Sequence, residues 1–87
     1  MSRQGDIIMA RIIDTEKKNL IGENLKALRI KAKMSQQQLS NKLELLGVYV
    51  CRGSISRIED YSRTVTDIEL FAIAEVLGVD IGALFSK

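Results

Sequence analysis

The chain has 87 residues and a mass of 9.7 kDa, which suits one small domain and leaves no room for a second, cofactor-binding one. It contains one cysteine and no histidine, tryptophan or proline, which excludes histidine-based acid–base catalysis, a zinc cage of Cys and His, and an internal disulfide. We therefore expect no enzyme activity, metal or cofactor, and a reducing compartment, the cytoplasm.

The apolar residues occur in short runs. The apolar fraction of 46% and the charged fraction of 28% are ordinary for a globular protein. No apolar run approaches the roughly 18 residues of a membrane span. The opening stretch from Ile7 to Ile13 is interrupted by Arg11 and lacks a cleavage region. We expect neither a membrane segment nor a signal peptide.

The net charge of +2 is the sum over a basic segment and an acidic segment of the chain. From Lys17 to Arg63 the chain has ten basic and four acidic residues, whereas from Thr64 onward it has one basic and four acidic residues. Such polarity is expected of a domain that presents a basic face to a polyanion. Many small domains show it by chance, so charge alone does not identify nucleic acid as the partner.

Helix-start signals predict two helices in the first half. Asn19 can cap a helix that runs to about Lys33, with an apolar face repeating at three and four residues: Ile21, Leu25, Leu28 and Ala32. Ser35 and Gln38 form a capping box that starts a second helix. Gly47 can end it in a left-handed conformation. The predicted inner face of the second helix comprises Leu39, Leu43 and Leu46.

Three more helices are predicted after an irregular connection at residues 48–50. The third runs from about Arg52 to Glu59, and a capping box of Thr66 and Glu69 opens the fourth, which stops at Gly78. Asp80 can cap a short fifth helix. The predicted buried residues of these helices are Ile55 and Ile58, then Ile68, Phe71, Ala72 and Leu77, and finally Ile81, Leu84 and Phe85. The fold class is thus an all-α, compact five-helix bundle.

Residues 1–18 fall outside this pattern and form an N-terminal arm or extension to a domain at residues 19–87. The arm contains five large apolar side chains: Ile7, Ile8, Met9, Ile12 and Ile13. They either pack on the bundle or form a dimer arm. Met9 is an alternative translation start. Both the role of the arm and the position of the start stay open at the level of the sequence.

The third helix has the features of a DNA-reading helix. If Ile55 and Ile58 point inward, the outer face comprises Gly53, Ser56, Arg57 and Asp60, with Arg52 at its leading flank. Such a helix fits a major groove about 12 Å wide. Each arginine can offer two donors to guanine or to phosphate. Gly53 either lets the helix backbone approach DNA or weakens the helix.

Two other positions have polar groups suited to DNA. Gln36 begins the second helix, where free amides and the helix dipole favour a phosphate. Ser54 can contact a base or the backbone, or simply satisfy an amide at the start of the third helix.

Taken together, these motifs resemble the lambda repressor and Cro-like helix-turn-helix domains, the XRE family of transcriptional regulators. The resemblance runs from about Ile21 to Phe85. The matching pieces are Leu28-Arg29, residues 35–39 (SQQQL), residues 55–59 (ISRIE), residues 65–67 (VTD), residues 77–79 (LGV) and Leu84-Phe85.

The resemblance implies a five-helix domain that binds double-stranded operator DNA as a homodimer, without a small-molecule ligand. It places Arg52, Gly53, Ser56 and Arg57 over base edges and Gln36 on the phosphate backbone. It also implies a partly buried ion pair that joins the first helix to the third, between Arg29 and Glu59.

The chain departs from this family pattern at three places. The segment from Leu43 to Ile55 is about five residues longer than in the phage proteins, as in a subgroup of small bacterial regulators. Asp60-Tyr61 replaces the usual Asn-Gly, which leaves three candidates for phosphate contacts in this loop: Ser62, Arg63 and Thr64. Cys51 stands at the N-cap of the third helix, as a plain cap or packed thiol or as a redox switch with a lowered pKa.

Overall fold

A computed structural model describes residues 16–86, and the predicted arm residues 7–13 lie outside that range. It contains α1 (Gly22–Lys31), α2 (Gln36–Leu45), α3 (Arg52–Glu59), α4 (Asp67–Leu77) and a C-terminal 3₁₀ helix (Ile81–Phe85). No strand occurs between residues 16 and 86. The all-α prediction is confirmed, although the fifth element is a single stretch of 3₁₀ helix.

Asn19 fixes the entry of the chain into α1. Its Oδ1 accepts hydrogen bonds from the amides of Ile21 at 3.0 Å and Gly22 at 2.9 Å. Asn19 thus binds amides at the helix start, although the N-cap position is Ile21 and not Asn19 as predicted. The helix itself is shorter than expected. It ends at Lys31, because Lys33 adopts a left-handed φ of +60° and turns the chain.

Both capping boxes form as the sequence predicts. The Ser35 hydroxyl accepts from the Gln38 amide at the start of α2, and Thr66 accepts from Glu69 at the start of α4. The glycines that follow these helices have left-handed φ angles: +82° at Gly47 and +68° at Gly78. Because the caps set both ends of α2 and α4, short connections suffice to pack these helices around one core.

All five elements contribute to one core, and α3 lies against both α1 and α2. The fully buried large side chains are Ile21, Leu25, Leu39, Leu43, Ile55, Ile58, Ile73 and Leu84. Gly22 allows the start of α1 to lie close to the end of α3. A Cβ at this position would lie 2.6 Å from the Ile58 carbonyl oxygen, which is too close for any other residue. This contact holds the end of α3 against the start of α1.

Several predicted core positions are exposed: Ala32, Leu46, Ile68, Phe71, Ile81 and Phe85. In α4 the buried face is centred on Ile73, and Phe71 lies about 200° away around the helix. Ala32 and Leu46 follow the last residues of α1 and α2. In the 3₁₀ helix only Leu84 is buried, and Asp80 makes no side-chain cap hydrogen bond.

Candidate nucleic-acid interface

The α3 helix presents one apolar face and one polar face. Ile55 and Ile58 are fully buried, as predicted. Arg52 and Arg57 are exposed, while the side of the helix that includes Gly53, Ser54 and Ser56 is partly exposed. The outward face therefore brings two guanidinium groups and two hydroxyls to the surface over eight residues.

The Arg57 side chain extends back along α3 toward its N-terminus. Its Nη2 lies 3.4 Å from Ser54 Oγ, and a Cβ added to Gly53 would lie 3.7 Å from its Nη1. This follows the i, i+3 geometry of a helix surface. The guanidinium thus covers the first turn of α3, beside free helix amides that favour an anion.

Cys51 is the N-cap of α3, and its thiol makes no cap hydrogen bond to the helix amides. Its Sγ lies 3.4 Å from Ser54 Oγ. This side-chain hydrogen bond, followed by the backbone of Ser54 and a smaller effect of the Arg57 charge, lowers the pKa of the exposed Cys51 thiol. A more acidic thiol suits the redox hypothesis, which stays a prediction.

A network of three side chains fixes α3 relative to α1 and α2. Arg29 donates from Nε to Glu59 Oε2 at 2.7 Å and from Nη2 to Oε1 at 3.1 Å. Gln36 Nε2 donates to the same Oε1 at 3.0 Å. The ion pair is partly sealed from solvent, with side-chain exposures of 10% for Arg29 and 5% for Glu59. One carboxylate therefore joins three helices.

The network gives Gln36 a structural role in addition to the phosphate contact predicted from the sequence. This residue begins α2, as predicted for a phosphate contact, but its amide group is also a structural donor to Glu59. Arg29 further donates to the Met34 carbonyl oxygen at 2.8 Å, in the connection before α2. Gln36 is thus held beside α3 by the Glu59 carboxylate, and that carboxylate is itself held by Arg29.

The turn after α3 is held by the Lys17 side chain and the Glu23 backbone amide, both near the start of α1. Tyr61 adopts a left-handed φ of +69°, which is unusual for a bulky residue. Its hydroxyl accepts from the Glu23 amide at 3.1 Å, and Lys17 Nζ lies 4.3 Å from its ring centroid. These contacts outside the turn keep Tyr61 where the family pattern has glycine.

The three loop residues predicted to contact phosphate differ in whether their polar groups already form hydrogen bonds within the protein. Ser62 donates from its hydroxyl to Asp60 Oδ1, and its amide donates to the same oxygen at 3.0 Å. Arg63 forms a two-pronged pair with Glu69, with both N–O distances at 3.0 Å, and donates to the Thr64 carbonyl oxygen. Thr64 itself is exposed.

The Arg63–Glu69 pair was missed by sequence reasoning. Glu69 was recognised only as part of the capping box, where its carboxylate accepts from the Thr66 amide. The guanidinium of Arg63 lowers the pKa of Glu69, and Glu69 raises the pKa of Arg63. The six-residue spacing between the two partners lies across a loop, so no helical periodicity signals the contact.

A comparison with known protein families identifies the family of this chain. Residues 25–84 match the sequence profile of the family described as Helix-turn-helix, and this stretch includes α2, α3 and the connection between them. The chain belongs to the helix-turn-helix family. It is thus a DNA-binding protein of the XRE type.

One similar solved structure is described as the crystal structure of the DNA-binding domain of BldD. It shares 22% identity with this chain, covers 85% of this chain and 100% of its own length, and has a TM-score of 0.67. This likeness supports the same helical fold. No curated protein matched the chain.

Residues 16–86 contain neither a candidate metal cluster nor a membrane-spanning helix. No cluster of three or more His, Cys, Asp or Glu side chains in that part of the chain could hold a metal ion. None of its helices is long and apolar enough to cross a bilayer.

Proposed function

We propose that this helix-turn-helix protein is a sequence-specific regulator of transcription that inserts α3 into the major groove of double-stranded DNA. The main support is the two-faced character of α3. Ile55 and Ile58 anchor it in the core, while Arg52 and Arg57 are exposed on the opposite face. A guanidinium offers two donors that match guanine O6 and N7.

The proposed base-reading set is Arg52, Gly53, Ser56 and Arg57. Arg57 supplies the strongest single contact, because its guanidinium is exposed and, within residues 16–86, makes only a long contact of 3.4 Å with Ser54 Oγ. A bidentate pair with guanine can replace that contact. Gly53 has no Cβ to hold the α3 backbone away from the base edges.

The proposed backbone set is Gln36, Ser54, Ser62, Arg63 and Thr64. Gln36 adds a side-chain amide to the first free amides of α2, where a phosphate is favoured. Arg63 supports the loop through Glu69, and its contribution to phosphate binding is mainly the positive charge it brings near the DNA. The loop offers the phosphate backbone the hydroxyl of Thr64 and main-chain groups that the Arg63–Glu69 pair holds in position.

The regulator acts as a homodimer on an inverted repeat. One α3 offers few base contacts, so two copies on half-sites about one helical turn apart are needed for useful specificity. The dimer contact is made either by the C-terminal helix or by the N-terminal arm. Occupation of a promoter by such a dimer makes repression the simplest mode of action.

An alternative function is a protein-interaction module or antitoxin-like accessory factor. The observation that favours it is the exposure of large apolar side chains on α4, where Ile68 is 67% and Phe71 60% exposed. Apolar patches of this kind often mark interaction sites. Stable co-purification of a partner without any binding to DNA would support this alternative.

Fluorescence anisotropy at stated salt concentrations tests the proposal. The full chain is titrated into the DNA upstream of its own coding sequence and into shuffled DNA of the same composition. We expect at least about 1,000-fold tighter binding to the specific site, and a binding constant that falls with salt as phosphate contacts release counterions. Equal affinity for both DNAs would rule out sequence-specific regulation.

A further inference from the structure

The Asn19 side chain connects the start of α1 to the segment that follows α3. Its Oδ1 accepts from the amides of Ile21 and Gly22. Its Nδ2 donates to the Ile58 carbonyl oxygen at 3.0 Å and to the Arg63 carbonyl oxygen at 2.8 Å. A side-chain amide has two acceptor sites and two N–H donors, so these bonds use its full capacity. One side chain therefore joins three segments of the chain.

The bond to the Arg63 carbonyl oxygen also orients the amide of Thr64. The peptide bond between these two residues is trans, so its C=O and N–H groups point in opposite directions. Because the Arg63 carbonyl points toward Asn19, the Thr64 N–H points away from it. Thr64 is exposed, and within residues 16–86 its amide and hydroxyl form no hydrogen bond. Both groups are therefore available to a ligand.

The surroundings of Thr64 are fixed on both sides. The carbonyl oxygen of Thr64 accepts from Arg63 Nη1 at 2.9 Å, and this guanidinium is held in turn by Glu69. On the other side, the Asn19 amide that binds the Arg63 carbonyl also binds that of Ile58, whose side chain is fully buried in α3. The direction of the Thr64 N–H is thus set relative to α3.

We propose that Asn19 is a positioning residue for the contact of this loop with the DNA backbone. It holds the Thr64 amide in the direction of a phosphate oxygen while α3 lies in the major groove, and it does not itself touch DNA. Backbone N–H groups are common donors to phosphate, and a donor that is oriented before binding loses little entropy when DNA arrives. The inference rests on the proposed function and gives a role to a residue outside the matched stretch 25–84.

A second asparagine provides a matched control. Asn24 is partly exposed, like Asn19, and its Nδ2 also donates to two carbonyl oxygens, those of Leu84 and Ser86. These bonds join α1 to the 3₁₀ helix and not to the loop after α3. Asn19→Ser and Asn24→Ser therefore each remove two bonds to carbonyl oxygens without a change in charge. Serine at position 19 keeps an oxygen that can accept from amides at the start of α1.

Titration of the full chain with a random-sequence DNA duplex measures contact with the phosphate backbone. We expect Asn19→Ser to bind about 5-fold more weakly than wild type, and Asn24→Ser to bind as wild type does. Equal losses in the two variants would show general destabilisation and would overturn the positioning role, as would unchanged binding by Asn19→Ser. If wild type bound no DNA at all, the proposed function would fail as well.

The NMR resonance of the Thr64 amide proton gives a readout that stability alone does not move. In wild type and in Asn24→Ser we expect it to move to lower field when the duplex is added, because the N–H donates to a phosphate oxygen. In Asn19→Ser this shift should be lost. Asn19→Asp, which keeps the acceptor and lacks both donors, should behave in the same way and replaces the serine variant if that variant does not fold. A full shift in either Asn19 variant, or no shift in DNA-bound wild type, would overturn the inference.

Discussion

Gln36 at the start of α2 donates a hydrogen bond of 3.0 Å to Glu59 at the end of α3. Because Arg29 of α1 binds the same carboxylate, the residue proposed to hold a phosphate is also a member of the network that orients α3. The proposed contact with the DNA backbone and the observed hydrogen bond to α3 thus involve the same side chain.

Gln36→Ala is expected to weaken binding to specific and random DNA by the same factor. It should also lower the free energy of unfolding by about 1 kcal/mol, because Glu59 loses one of its three donors. DNA titrations and urea unfolding measure the two effects. The neighbouring Gln37→Ala is the control, since the Gln37 side chain binds Asn41 on the surface and not Glu59. A loss confined to the specific site would argue against a backbone role for Gln36.

Alanine substitutions at two glycines are expected to change stability in opposite directions. Gly22→Ala would place a Cβ 2.6 Å from the Ile58 carbonyl oxygen and 2.9 Å from that of Glu59, which should destabilise the protein by about 1 to 3 kcal/mol. At Gly53 the nearest atom is 3.7 Å away, so alanine should stabilise α3 by about 0.5 kcal/mol. Urea unfolding compares the two variants directly.

Gly53→Ala should nevertheless weaken specific DNA binding if the backbone of α3 approaches the bases there. Higher stability with lower affinity would separate a role in recognition from a role in folding. Unchanged affinity would remove Gly53 from the base-reading set.

The Arg63–Glu69 pair predicts an acid-dependent loss of stability. The pKa of Glu69 is lowered in the folded state, chiefly by its hydrogen bonds to Arg63. The stabilisation is therefore fully present above the unfolded pKa of about 4.3 and is lost as the pH falls through the lower folded pKa. Glu69→Gln should cost about 1 kcal/mol at pH 7 and less as the pH falls.

Urea unfolding between pH 7 and pH 3 measures this difference. The wild-type protein should lose stability more steeply than Glu69→Gln over the acidic range. Glu44→Gln, at an exposed position on α2, should follow the wild-type slope. Parallel curves for wild type and Glu69→Gln would show that the pair contributes nothing to folding.

Local signals in the sequence predicted most of the fold. Ser35 and Thr66 mark helix starts through bonds to residues three positions away, so their geometry is contained in a short stretch of chain. The orientation of α4 could not be read in this way. Ile68 and Phe71 are apolar and helically spaced, yet Ile73 faces the core, because the packing of the whole bundle decides which side of an apolar helix is buried.

The candidate site was predicted unevenly for the same reason. The outward face of α3 followed from the burial of Ile55 and Ile58, which a helical wheel supplies. The bond from Gln36 to Glu59 and the pair of Arg63 with Glu69 depend on where distant segments meet in space. No periodicity in the chain contains that information, so these contacts appeared only in the structure.

The specificity of Arg57→Ala tests the central claim, that α3 reads the base sequence. Affinities of wild type and variant are measured for the operator, for single base-pair changes across each half-site, and for random DNA. We expect the variant to lose about 1 to 3 kcal/mol on the operator, to lose discrimination at one base pair, and to bind random DNA nearly as before. Lys31→Ala, on α1, should leave base preference unchanged. An equal loss on operator and random DNA, with every base preference retained, would contradict the assignment of α3 as the reading helix.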